Sequence, residues 1–140
     1  MKRGASAVWK GGLKDGRGTF STDSGAMKGM PYSFGTRFES VPGTNPEELI
    51  AAAEASCFSM AFSGELGKAG AIVESIETEA SLDFDKTEAG WTVKSIHLDT
   101  AAKVTGADRA KVEAAAEVAK KNCPISRLLK ADITMSVRMA

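Results

Sequence analysis

Hydrophobic and polar residues form strand-like runs over residues 5–38, with strict alternation over Tyr32–Phe38; a three-and-four spacing follows Pro46, and strand-like runs return from residue 71. The first stretch reads as short strands broken by glycine turns. Ala7–Lys10 leads into Gly11-Gly12, Asp15-Gly16-Arg17-Gly18 precedes Thr19–Thr22, and Ser24-Gly25 marks a further turn. In Tyr32–Phe38 the residues Tyr32, Phe34, Thr36 and Phe38 would share one strand face, with Ser33, Gly35 and Arg37 on the other. A β-meander over residues 5–38 is the expectation.

Asn45 is a favourable helix cap, Pro46 a favourable first residue, and Glu47 and Glu48 suit the positive helix start. The spacing predicts a helix running to about Gly64 or Gly67, with an apolar stripe of Leu49, Ile50, Ala53, Cys57, Met60 and Ala61. Its many alanines leave little bulk elsewhere, which suits close packing on more than one side. Residues 71–84 and 91–104 read as two long strands around a polar turn, Asp85–Gly90. Asp108–Lys121 reads as a helix with a small-residue face of Val112, Ala115, Ala116 and Ala119. A short helix after Pro124 and a final strand over Ala131–Met139 complete the pattern. This order predicts an α+β fold with mostly antiparallel pairing, in a single domain spanning residues 1–140.

Composition changes this picture little. Lys plus Arg and Asp plus Glu number 18 each, so no global field favours nucleic acid or an anionic membrane. Neither a signal-peptide pattern nor an apolar run of about 20 residues is present, and the expectation is a cytoplasmic protein. With one histidine and two widely separated cysteines, paired metal-ligand spacing is missing, and neither a metal nor another cofactor is expected.

The chemistry concentrates on the cysteines, which in a reducing compartment are more often free, catalytic or redox-active than structural. Cys57 on the apolar stripe fits two readings, a small buried hydrophobe or a reactive thiol that needs a nearby cation. Cys123, directly before Pro124, fits a helix cap where the dipole lowers a thiol pKa, or a plain cap residue. Arg37 is either a solvated edge-strand residue or a fixed cation for a thiolate. Arg17, in a glycine turn, is the weaker cation candidate. Glu47 is at least a helix-start carboxylate, and His97 reads as structural. Glu54, three residues before Cys57, would raise the thiol pKa unless it points away or Arg37 neutralises it.

The run Thr44-Asn45-Pro46-Glu47-Glu48-Leu49, continued by an alanine-rich helix into Ala55-Ser56-Cys57-Phe58-Ser59-Met60, resembles the OsmC/Ohr family of thiol peroxidases. Asn122-Cys123-Pro124-Ile125-Ser126 is similar to the family's second cysteine motif. Ser21–Gly25 and Pro31–Glu39 resemble the OsmC branch, and the resemblance covers essentially the whole chain. It implies a reductase of organic hydroperoxides, with Cys57 as peroxidatic cysteine, Cys123 as resolving cysteine, and Arg37 and Glu47 as charged partners. It also implies a Cys57–Cys123 disulfide recycled by a lipoyl- or thioredoxin-type dithiol, and a role in oxidative or osmotic stress defence. The implied fold is an intertwined homodimer with antiparallel sheets wrapped around long central helices. Phe34, Phe38, Phe58, Met60 and Phe62 are candidates for an apolar substrate pocket.

Helix arithmetic adds one expectation. Ten residues separate Glu47 from Cys57, about 15 Å along a straight helix, so a second chain supplying Glu47 to Cys57 would ease the reach. Two competing readings share the fold, a non-catalytic small-molecule-binding module and a redox sensor that signals through the same disulfide.

Overall fold

Three short strands open the chain, β1 (Ala5–Lys10), β2 (Arg17–Thr22) and β3 (Met30–Tyr32), paired antiparallel in the order β1-β2-β3. The computed structural model describes residues Met1–Ala140. Its chain divides into two compact units, Met1–Leu49 and Ile50–Ala140.

In the first unit the expected last strand is a helix. β3 stops at Tyr32, and α1 (Phe34–Phe38) follows. Ser33 and Thr36 make a capping box. The Thr36 amide donates to Ser33 Oγ at 3.3 Å and the Ser33 amide donates to Thr36 Oγ1 at 3.0 Å. Two helix-start amides are thereby satisfied, which outweighs the period-two pattern that suggested a strand. Phe34 and Phe38, four residues apart, then meet with ring centroids 4.8 Å apart.

α2 (Pro46–Lys68) begins as the sequence predicts, with the Glu48 amide donating to Asn45 Oδ1 at 2.8 Å. It passes through Gly64 and Gly67 and ends where Gly70 takes a φ of +83°. The Ala71 amide reaches Leu66 O and the Gly70 amide reaches Gly67 O, both at 3.0 Å, a Schellman stop.

The second unit carries the main core. β4 (Ile72–Thr87) and β5 (Gly90–Thr105) form a long antiparallel hairpin, turning over Glu88 and Ala89 and thus extending beyond the predicted strand ends. α3 (Arg109–Asn122), capped by Asp108, and α4 (Pro124–Leu128) then lead to β6 (Asp132–Met139). β6 pairs parallel to β5, the one parallel ladder in an otherwise antiparallel α+β structure. Antiparallel pairing therefore predominates as expected, and the helical crossover gives β6 its direction.

Phe58, Phe62 and Leu66 from α2 pack with Ile96, Leu98 and Ala102 from β5 and with the predicted small-residue face of α3, Val112, Ala115, Ala116 and Ala119. The buried stripe of α2 is Glu54, Phe58, Phe62 and Leu66, so the predicted stripe is rotated. Met60, expected inside, is 76% exposed. A polar chain crosses the core edge, with Ser59 Oγ donating to Thr78 Oγ1 at 2.8 Å and Thr78 and Thr100 hydroxyls 2.9 Å apart. No helix is long and apolar enough to cross a membrane.

Candidate active site

α2 carries Cys57 partly buried at its middle, one turn before the buried Phe58–Phe62 pair is completed. Cys123 lies where α3 ends and α4 begins, fully buried, because Pro124 cannot continue α3 and instead starts a new helix. That break turns the Cys123 thiol toward α2. Its Sγ lies 2.8 Å from Cys57 Sγ, within hydrogen-bonding distance, across 66 positions of sequence. Both are free thiols. A disulfide requires about 2.05 Å between sulfurs, so closing one needs a movement under about 1 Å.

Burial is the largest influence on Cys57 and pushes its thiol above the ordinary range. The hydrogen bond shared with Cys123 adds to this, because it engages the Cys57 proton, as do the charges of Cys123 and Glu54. One group opposes them, the backbone N–H of Ile125 in the first turn of α4, which favours the thiolate of Cys57. The expected placement of Cys123 at a helix cap holds. Cys123 sits at the N-cap position of α4 without a side-chain cap bond, and the helix-start amide acts on Cys57.

Glu54 neither points away nor lies in solvent. Its side chain is fully buried, its Oε1 accepts a hydrogen bond from Ser126 Oγ, and its Oε2 has no partner. Sequence reasoning gave no role to Ser126, third residue of α4, because 72 positions separate it from Glu54. The usable signal was Glu54 itself, an acidic residue one turn before the thiol.

In the first unit Arg37, on α1 rather than on a strand, is held by Glu47 in the first turn of α2. Arg37 Nη2 donates to Glu47 Oε1 at 2.5 Å and Nε donates to Oε2 at 3.2 Å, a bidentate pair. The guanidinium also lies 4.9 Å from the Phe38 ring centroid. Arg37, Phe34 and Phe38 line a cavity of about 260 Å³ together with Trp9, Leu13 and Tyr32. Phe58 and Phe62, expected in a substrate pocket, are instead fully buried core residues. Arg17 is exposed and spends one guanidinium nitrogen on the carbonyls of Asp15 and Gly16. His97 is held between the hydroxyls of Thr134, at 2.6 Å, and Ser136, at 3.2 Å.

A family profile described as OsmC-like protein matches residues 38–138. The chain belongs to the OsmC family. It is 47% identical over 133 residues to Peroxiredoxin OsmC of Escherichia coli (strain K12), covering 95% of this chain and 93% of the relative. It is 25% identical over 123 residues to Organic hydroperoxide resistance protein OhrB of Bacillus subtilis, covering 87% of this chain and 88% of that protein. The fold matches that of an OsmC-like protein of unknown function from Vibrio cholerae, with a TM-score of 0.79, 20% identity, and coverage of 98% and 99% of the two chains. The family assigned from the two cysteine motifs is thus the family to which the chain belongs, and its enzyme class, a thiol peroxidase, stands with it.

Proposed function

We propose that this member of the OsmC family reduces organic hydroperoxides to alcohols through Cys57 and Cys123. The Cys57 thiolate attacks the O–O bond of the hydroperoxide, and the departing alkoxide takes a proton to leave as alcohol. Cys57 is left as sulfenic acid. The Cys123 thiol condenses with it, forming the disulfide and releasing water. A lipoyl- or thioredoxin-type dithiol then reduces the disulfide and is itself oxidised to its own disulfide.

The observation that carries this reading is the 2.8 Å approach of two free sulfurs that lie 66 positions apart in sequence. A peroxidatic thiol needs positive charge, because burial pushes Cys57 the other way. In this reading the charge comes from Arg37, whose guanidinium the bidentate contact with Glu47 holds in one orientation. The aromatic cavity around Arg37 has the lining to take an alkyl or aryl peroxide. The protein acts as a homodimer of single-domain chains, with α2 central, sheets wrapped around it, and a site shared between subunits. It works in the cytoplasm during oxidative or osmotic stress.

The test is single-turnover reduction of cumene hydroperoxide. Cys57→Ser is expected to abolish peroxide consumption, and Cys123→Ser to complete one turnover and stall with a dithiol present. Full turnover by Cys57→Ser would overturn the mechanism. A disulfide that forms without sustained consumption under saturating dithiol would favour a sensor instead.

A further inference from the structure

We propose that Glu54 and Ser126 form a buried clamp that holds the first turn of α4, and with it Cys123, against Cys57, so that they serve disulfide closure. The inference deepens the proposed mechanism and rests on its disulfide step. Three observations carry it. Glu54 lies on α2 one turn before Cys57, and Ser126 lies on α4 three residues after Cys123, so each member sits beside one thiol. The hydrogen bond between them, Ser126 Oγ donating to Glu54 Oε1, spans the same two elements as the sulfur contact. Both members are buried, Glu54 at 0% and Ser126 at 9% exposure, so water does not compete for the bond.

Glu54 is costly to keep where it is. Its Oε2 is buried without a hydrogen-bond partner, and its charge disfavours the neighbouring thiolate. An apolar residue at this place on the Phe58–Phe62–Leu66 stripe would pack the core without that cost. What a carboxyl supplies, and an apolar side chain does not, is a fixed acceptor for Ser126. α4 has five residues and no side-chain cap at its N-terminus, so little inside the helix itself holds it. The clamp gives it a second attachment point to α2, next to the Ile125 amide that faces Cys57. Glu54 and Ser126 are thus positioning residues. The sulfenic acid on Cys57 must be met by Cys123 Sγ within bonding reach, in competition with a second peroxide that would carry it on to sulfinic acid.

The experiment treats the full-length protein with one equivalent of cumene hydroperoxide, traps sulfenic acid with dimedone at timed intervals, and counts adduct, disulfide and sulfinic acid by mass spectrometry. Ser126→Ala and Glu54→Leu are expected to lengthen the sulfenic-acid lifetime by at least about fivefold, the effect of one lost buried hydrogen bond, with first attack on peroxide no slower. Glu54→Gln keeps an acceptor oxygen for Ser126 and is expected to close the disulfide at nearly the parent rate. Glu54→Leu leaves no unpaired buried charge and guards against a folding defect in Ser126→Ala. Closure at the parent rate in both Ser126→Ala and Glu54→Leu overturns the clamp, as does an equal slowing of both steps. Slowing in Glu54→Gln as large as in Glu54→Leu also overturns it. Cys123→Ser is the separate control. If it accumulates no more sulfenic acid than the parent, the disulfide step itself fails, whatever the clamp variants do.

Discussion

At Cys57 two opposing influences meet on one sulfur. Burial, the Cys123 thiol and the charge of Glu54 all favour the protonated form, while the Ile125 amide favours the thiolate. A peroxidase built on this thiol needs a stronger opposing charge, and Arg37 is the residue the proposed mechanism assigns. Arg37→Gln should therefore move the pH profile of Cys57 alkylation by iodoacetamide upward by about 1 to 3 units, the span of one nearby opposite charge. A profile that does not move removes Arg37 from the mechanism. The raised direction at Cys57 means that the folded chain holds this proton more tightly than the unfolded chain does. That contribution to stability is complete below the ordinary thiol pKa of about 8.5 and is lost as pH rises through the higher folded value. Arg37→Gln/Cys57→Ser should lack this part of the alkaline decline in urea midpoint. Within the Arg37→Gln background, Cys123→Ala should lower the alkylation pKa more than Glu54→Gln does. It removes the hydrogen bond as well as a charge, whereas Glu54 acts by charge alone and is the smaller influence.

Among the elements, those with explicit punctuation were legible from sequence. Asn45-Pro46 opens α2, Asp108 caps α3, and Pro124 opens α4 where the text of the chain indicates them. The two misreadings have distinct physical causes. Tyr32–Phe38 satisfies a period-two pattern and an i, i+4 aromatic pair equally well, and the Ser33–Thr36 capping box decides for the helix. The predicted stripe of α2 is rotated because a hydrophobic pattern excludes an acidic residue from the core, although Glu54, Phe58, Phe62 and Leu66 fall at strict four-residue steps. The same assumption hid the Glu54–Ser126 contact, for which no local pattern exists at a separation of 72 residues. Cys123 was legible at a helix boundary because Pro124 follows it, whereas Cys57, at mid-helix, offered only its place in an alanine-rich helical run, and the Ile125 amide acting on it had no local pattern. These assignments predict distinct costs. Asn45→Ala should destabilise by about 1 kcal/mol in urea unfolding, through loss of the cap alone. Phe58→Ala should cost about 3 to 5 kcal/mol, because it empties the centre of the buried stripe. A Phe58→Ala cost as small as that of Asn45→Ala would contradict the core described here.

For the whole molecule, the question is what covers the outer face of α2. Ala52, Ser56 and Met60 are exposed along it, on a helix whose opposite side is fully buried, and Met60 is 76% exposed in the single chain. Helices of this length with one solvated side usually place charged residues there, whereas this middle segment offers small and apolar ones. Ile72, 73% exposed at the start of β4, is a second exposed apolar residue of the same unit. A second copy laid against this face accounts for the composition and agrees with a shared site in the proposed homodimer. Met60→Glu distinguishes the cases. On a monomer surface it should change stability by no more than about 0.5 kcal/mol and leave peroxidase activity intact. In a dimer packed through α2 it buries a charge and should shift sedimentation toward the 14.7 kDa chain mass, with activity falling as the dimer dissociates. A parent protein that sediments at the chain mass while fully active would remove the shared site and leave Arg37, Glu47 and both cysteines to act within one chain.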